Sequence, residues 1–204
     1  MNEITHERSS VPPIVCLVFG PPGVGKTTFV NKVLVNTERV NIGGIAATEY
    51  NLTTRISFHR KSYLPGEIYY LDTPGRDVYH GQIEQTLKRL PHRRRLIIAA
   101  LFDLTNRESF SQLENRLTPI LKEYQNSEGR PCYGILIGNK ADLIDRRIVS
   151  LSECQQRARQ FKFRYWQCSS LNDFTLIEFE QILLELAQNF SSKREAQQML
   201  IADL

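Results

Sequence analysis

Three segments of this chain are apolar at almost every position, and polar or helical stretches separate them. Ile14-Val15-Cys16-Leu17-Val18-Phe19 is the first, residues 96–102 (LIIAALF) the second and residues 133–138 (YGILIG) the third. Runs of this length without alternation predict strands buried on both faces. Shorter runs at 68–71 and 165–168 predict two more. Between 52 and 59 the pattern alternates, with Leu52, Thr54, Ile56 and Phe58 on one face and Thr53, Arg55, Ser57 and His59 on the other. That is a half-exposed strand, and the turn residues Leu64-Pro65-Gly66 fold it back on 68–71 as a hairpin.

Helical spacing fills the gaps. Residues 28–35 follow the first strand, and 108–124 carry Phe110, Leu113, Leu117, Ile120, Leu121 and Tyr124 on one stripe. Residues 150–161 open with Ser150-Leu151-Ser152-Glu153, a capping box. A short helix is expected at 82–90, stopped by Pro91. A last helix carries Phe174, Ile177, Ile182, Leu183 and Leu186 and runs on toward Leu204. Residues 36–47, with Gly43-Gly44, show no period and read as a long loop. Strands alternating with helices predict an α/β fold, a mainly parallel sheet covered on both faces with one antiparallel edge strand. In such sheets ligands bind beyond the carboxyl ends of the strands.

Composition narrows the class. At 204 residues the chain can bury one substantial core but not two comfortable ones. Its 41% hydrophobic and 24% charged residues exclude a disordered or fibrous chain. A net charge of +4 is too mild to predict a nucleic-acid partner. Cys16, Cys132, Cys154 and Cys168 lack metal-ligand spacing and read as reduced thiols. With no apolar span, no secretory leader and no glycine for myristoylation, a soluble cytoplasmic protein is expected.

Four motifs each follow a predicted strand. Gly20-Pro21-Pro22-Gly23-Val24-Gly25-Lys26-Thr27 fits G-x-x-x-x-G-K-[ST], followed by Thr28 in the helix. Its glycines let successive N–H groups face phosphate oxygens, and the helix adds its positive end. Lys26 would reach the β- and γ-phosphates, and the Thr27 hydroxyl would ligate Mg²⁺. Asp72-Thr73-Pro74-Gly75 places a carboxylate where it can hold Mg²⁺, usually through water, and a glycine whose N–H can approach the γ-phosphate. Asn139-Lys140-Ala141-Asp142 offers a carboxylate that accepts the adjacent N–H and NH₂ donors of guanine, a pair that adenine lacks. Asn139 would tie loops together and the Lys140 stem would pack over the base. After the last strand, Ser169-Ser170-Leu171 could bring a backbone N–H to the guanine O6. A phosphate-loop kinase would not explain N-K-x-D.

In this order and spacing, GPPGVGKT, DTPG, NKAD and CSSL resemble the small GTPases of the Ras superfamily. Residues 102–110 (FDLTNRESF) and 136–143 (LIGNKADL) are most similar to the Rab branch. The similarity covers roughly residues 14–190, leaving 1–13 as an N-terminal arm and 191–204 as a helical or loose tail. It implies the P-loop small-GTPase fold: a six-stranded, mostly parallel sheet with one antiparallel edge strand and five flanking helices. It also implies GTP/GDP and Mg²⁺ as cofactors. Effector, exchange-factor and activator proteins would meet mobile stretches at about 36–50 and 72–95. Thr48 is the best match to the family's Mg²⁺-ligating threonine, and it would be released together with Gly75 when the γ-phosphate is lost.

Departures from the family pattern modify that expectation. Arg76 stands directly after D-x-x-G, where most relatives place a water-orienting Gln. A guanidinium only donates hydrogen bonds, so slow intrinsic hydrolysis is expected. The alternative is a catalytically impaired, GTP-bound scaffold or Rab mimic. Leu171 replaces the usual Lys, and 36–47 offers no aromatic to lean on the base, which together predict faster nucleotide exchange. The basic run 88–95 reads equally as a solvated helix end or as a docking place for an acidic partner or anionic lipid. No cysteine follows Cys168, so no prenyl anchor is expected.

Overall fold

Strand β1 (Ile14–Phe19) is buried at every position, and its period of two sorts those residues between two layers. Ile14, Cys16 and Val18 face a core with Phe29, Val30 and Val33 of helix α1 (Lys26–Val33), and with Phe179, Ile182 and Leu183 of helix α5 (177–186). Val15, Leu17 and Phe19 face the other core, built on Ile83 and Leu87 of α2 (His80–Arg89). Leu113, Leu117 and Ile120 of α3 (Arg107–Asn126) and Cys154 and Ala158 of α4 (Leu151–Phe161) complete it. Each fully buried aliphatic or aromatic side chain contributes roughly 1.5–3 kcal/mol. This two-sided burial is why the strand carries no polar residue. A computed structural model describes residues 13–34, 54–63, 66–76, 80–89, 95–126, 133–171, 177–186 and 188.

The six strands are β1, β2 (Ser57–Tyr63), β3 (Gly66–Asp72), β4 (Arg95–Asp103), β5 (Tyr133–Asn139) and β6 (Arg164–Gln167). They lie in the order β2-β3-β1-β4-β5-β6. All neighbours are parallel except β2 and β3, which form the expected hairpin. With the five helices among the described residues around it, the mixed sheet matches the architecture that the resemblance implies. Because β1, β3, β4, β5 and β6 run the same way, their carboxyl ends share one edge. The capping box of α4 is present: the Ser150 hydroxyl accepts from the Glu153 N–H, and the Glu153 carboxylate accepts from the Ser150 N–H at 2.9 Å. Among the described residues no helix is long and apolar enough to cross a membrane.

Several boundaries depart from the sequence pattern. Of the strand expected over 52–59, residues 57–59 lie in β2 (Ser57–Tyr63) and 54–56 do not; its partner β3 ends at Asp72, opposite Ser57. Residues 54–56, although alternating, pair with no strand among the described residues and fall outside the ladder. Helix α1 begins at Lys26 rather than 28, since Gly25 at φ 93° turns the phosphate loop directly into the helix. Ile177 lies off the buried stripe of α5 and is 63% exposed; Phe179, Ile182 and Leu183, spaced i, i+3, i+4, carry it. Strand β6 stops at Gln167, and Cys168 bonds from beyond the strand through its N–H to Gly138 O at 2.9 Å. Arg95 belongs to β4, paired opposite Ile14, and is half-buried. The N-terminal arm, the 36–47 loop, Thr48, Leu52, Thr53, Leu64, Pro65, residues 90–94, Cys132, Phe174 and the tail from Ser191 lie outside the described residues.

Candidate functional site

The four motifs leave β1, β3, β5 and β6 at their carboxyl ends and meet at that edge of the sheet. The phosphate-loop segment after β1 turns on glycines in the left-handed region. Gly20 has φ 152°, and a Cβ there would lie 2.2 Å from the Leu101 carbonyl oxygen, so no other residue fits. Pro22 and Gly23 are exposed at the tip, as is Thr28 in α1, while Pro21 and Val24 are buried.

Lys26 is the first residue of α1 and is almost fully buried. Its Nζ donates to the Pro21 carbonyl at 2.9 Å, closing the loop on itself. Burial pulls the ammonium down to about 8; the nearby Asp72 charge opposes that shift and Arg116 adds to it. One residue on, the Thr27 hydroxyl donates to Asp72 Oδ2 at 2.6 Å. Burial raises the Asp72 carboxyl above its usual range, against the Thr27 hydrogen bond and the charge of Lys26. The second oxygen, Asp72 Oδ1, is buried and has no hydrogen-bond partner among the described residues.

That orphaned oxygen tests the site for a metal. Among the described residues no three His, Cys, Asp or Glu side chains cluster, so a soft or multi-carboxylate metal centre has no basis there. A hydroxyl and a carboxylate held together, with one oxygen unspent, instead form a hard-oxygen pair. This suits Mg²⁺, which binds through one or two protein oxygens plus phosphates. The residues fit.

Beyond Asp72, the Thr73 hydroxyl donates to Val18 O at 2.7 Å and pins the strand end to β1. Gly75 is pressed against the phosphate loop. A Cβ at Gly75 would meet Pro22 N and Cα at 2.7 Å and Lys26 Nζ at 2.8 Å. From the other side, buried Arg116 of α3 donates through Nη1 to the Gly75 carbonyl. Arg76 is exposed.

The third and fourth motifs are joined by Asn139, which is buried. Its Nδ2 donates to Val24 O at 2.7 Å, and its Oδ1 accepts from the Ser170 N–H at 3.0 Å and the Ser170 hydroxyl at 2.9 Å. The Ala141 N–H donates to Cys168 O at 3.0 Å, a second tie between the two loops. Lys140 adopts φ 63°, and its Nζ pairs with Asp103 Oδ2 at 2.6 Å. Burial alone would raise the Asp103 carboxyl; hydrogen bonds from Lys140 and from the Thr105 hydroxyl and N–H hold it below its usual range. Asp142 is exposed, Ser169 is buried and accepts from the Leu171 N–H at 3.2 Å, and Leu171 is exposed. Of the predicted site residues, only Thr48 lies outside the described ones.

Two residues here were not anticipated from the sequence. Arg116 sits between Leu113, Leu117 and Ile120 on the buried stripe of α3, and a charge on an apolar stripe was the signal available for it. Asp103 is the last residue of β4, and nothing local to it announces the pairing with Lys140.

Known proteins resemble this chain over most of its length. A family model described as "Ras family" matches residues 15–191. The chain is 28% identical over 180 residues to Ras-related protein Rab-10 of Diplobatis ommata, covering 87% of this chain and 80% of the relative. It is 29% identical over 181 residues to Ras-related protein Ral-a of Drosophila melanogaster, covering 87% and 81%. It is 27% identical over 146 residues to the intraflagellar transport protein 27 homolog of Bos taurus, covering 69% and 71%.

Proposed function

The chain belongs to the Ras family, and from that membership we propose that it is a guanine-nucleotide switch that binds GTP and GDP with Mg²⁺ and hydrolyses GTP slowly. The observation that carries this reading is Asn139. One buried amide links the phosphate loop at Val24 to the Ser170 turn, so the loops that would hold the phosphates and the base form one connected edge.

Each residue then has a role. The loop N–H groups and the first turn of α1 receive the phosphates. Lys26 exchanges the Pro21 carbonyl for phosphate oxygens, whose negative charge favours the ammonium that burial disfavours. Mg²⁺, when bound, neutralises charge on the β- and γ-phosphates; Thr27 and Asp72 would hold it, with Thr48 as a further hydroxyl. Asp142 accepts the guanine N–H and NH₂ donors, the Lys140 stem lies along the base, and the Ser169-Ser170-Leu171 turn offers an N–H to O6. Gly75 senses the γ-phosphate, so hydrolysis releases it and the stretches at 36–50 and 72–95 that meet effectors and regulators. Arg76 can stabilise developing charge but cannot accept a proton from the attacking water.

Chromatography of nucleotide released from the purified protein tests the reading. GDP supports a working hydrolase. Predominant GTP supports a second reading, a long-lived GTP-bound scaffold, which Arg76 favours. ATP would overturn both. In a single-turnover assay Arg76→Gln should accelerate GTP cleavage, and no acceleration would remove Arg76 as the cause of slow hydrolysis.

A further inference from the structure

The Gly75 peptide is wedged between two elements. On one side the phosphate loop leaves no space even for a methyl group, with Pro22 at 2.7 Å and Lys26 Nζ at 2.8 Å from a would-be Cβ. On the other, the Arg116 guanidinium reaches across 41 residues of sequence to hold the Gly75 carbonyl oxygen. Arg116 is 8% exposed and projects from the stripe of α3 whose neighbours Leu113, Leu117 and Ile120 fill the core. Burying a guanidinium among such residues is unfavourable unless it satisfies specific acceptors, and a backbone carbonyl at a strand end is one.

We propose that Arg116 is a positioning residue for phosphate sensing: by fixing the Gly75 carbonyl toward α3, it sets how Gly75 and Arg76 stand to the γ-phosphate position beside Lys26. The peptide between Gly75 and Arg76 is planar and trans. Holding its carbonyl toward α3 therefore turns its N–H, which is that of Arg76, the opposite way, fixes where Arg76 leaves the loop and anchors Gly75 from its carbonyl side. A charge-assisted hydrogen bond is stronger and more directional than a neutral one. Helix α3 thus carries a fixed reference against which presence or absence of the third phosphate is read.

This inference rests on the guanine-nucleotide reading, and its test separates the two. Full-length wild type, Arg116→Lys and Arg116→Met are titrated with fluorescent GDP and a fluorescent non-hydrolysable GTP analogue in Mg²⁺. The ratio of the two affinities is the readout, since general damage lowers both together. Arg116→Met should weaken the GTP analogue about tenfold while GDP affinity stays within about twofold. Arg116→Lys, which keeps the charge but not the fork, should restore part of the loss. An unchanged ratio in either variant, or an equal loss for both nucleotides, overturns the inference. If Arg116→Met does not fold, as judged by its GDP-bound melting, Arg116→Lys decides alone, with a shift of about threefold expected. Wild type that binds neither guanine nucleotide would overturn the functional reading as well.

Discussion

At the base end of the site, the single amide of Asn139 donates to Val24 O and accepts from both the N–H and the hydroxyl of Ser170. At the phosphate end, Asp72 keeps a buried oxygen with no partner among the described residues, and Lys26 is held by a loop carbonyl with its proton affinity reduced. Asn139, Asp72 and Lys26 are all buried and polar, yet the Asn139 amide is satisfied internally and Asp72 Oδ1 is not. On the guanine-nucleotide reading proposed above, the difference matches what each end would do. A base pocket can be set before ligand arrives, whereas a phosphate site that switches must keep charge and coordination capacity for a group that comes and goes. That reading assigns preorganisation and responsiveness to different strand ends of one sheet.

The sharpest way to break this contrast is to remove the amide. Asn139→Ala deletes one buried donor and one shared acceptor and leaves Val24 O and Ser170 N–H facing a hole. Removing a buried network hub of this kind costs about 3–5 kcal/mol. Urea unfolding of nucleotide-free protein should show a loss of that order. A loss below about 1 kcal/mol would mean that the base end is not held together by Asn139.

Asp72→Asn makes the opposite prediction for the phosphate end. Burial already disfavours the Asp72 charge, so a neutral isostere should leave the nucleotide-free protein equally stable or slightly more so. Mg²⁺-dependent GTP binding should meanwhile fall more than tenfold, given the loss of an ionised oxygen that the metal needs. A drop in unfolding free energy without a change in Mg²⁺ dependence would invert the comparison.

Lys26 gives a pH signature for the same end. Its folded value is about 8 against an ordinary 10.5. Below pH 8 the ammonium is charged in both folded and unfolded states, and the burial penalty is present in full. Between 8 and 10.5 the folded state has released a proton that the unfolded state keeps, so this penalty is relieved as pH rises. Without nucleotide, the stability of wild type relative to Lys26→Met should therefore increase across that window and level off above it. Burial raises the thiols of Cys16 and Cys168, which lowers stability at high pH in both proteins and cancels in the difference. A difference that stays flat with pH would show that Lys26 is not desolvated.

How much of this was legible in the sequence follows from the range of each force. Strands β1, β4 and β5 were legible because burial on both faces leaves an unbroken apolar run, and α4 because its cap lies within four residues. The limits of β2 were not, since a strand ends where its partner ends, and Asp72 is distant in sequence from Ser57. Motif spacing brought Lys26, Thr27, Asp72 and Asn139 to one edge because each follows a strand. Arg116 and Asp103 escaped it, because a stripe of apolar residues says nothing about which carbonyl a charge within it will find. What sequence spacing cannot convey is satisfaction, whether each buried polar atom has found a partner, and the two ends of this site differ in that property.

The smallest expected effect tests the base end at its rim. Lys140 Nζ pairs with Asp103 Oδ2, but the Lys140 side chain is one-third exposed, so Lys140→Met should cost only about 0.5–1 kcal/mol at neutral pH. Its pH dependence is more telling than its size. The Asp103 carboxyl is held below its ordinary 3.8 by Lys140 and Thr105, so the folded state binds fewer protons than the unfolded state just under that value. The contribution is present above pH 3.8 and is lost as pH falls through the lower folded value. Wild type and Lys140→Met should therefore differ at pH 5–7 and converge in acid. If their unfolding curves stay separated at the lowest pH where both fold, Lys140 acts there through its stem and backbone at φ 63° rather than through the ion pair, and the base end is held by shape as much as by charge.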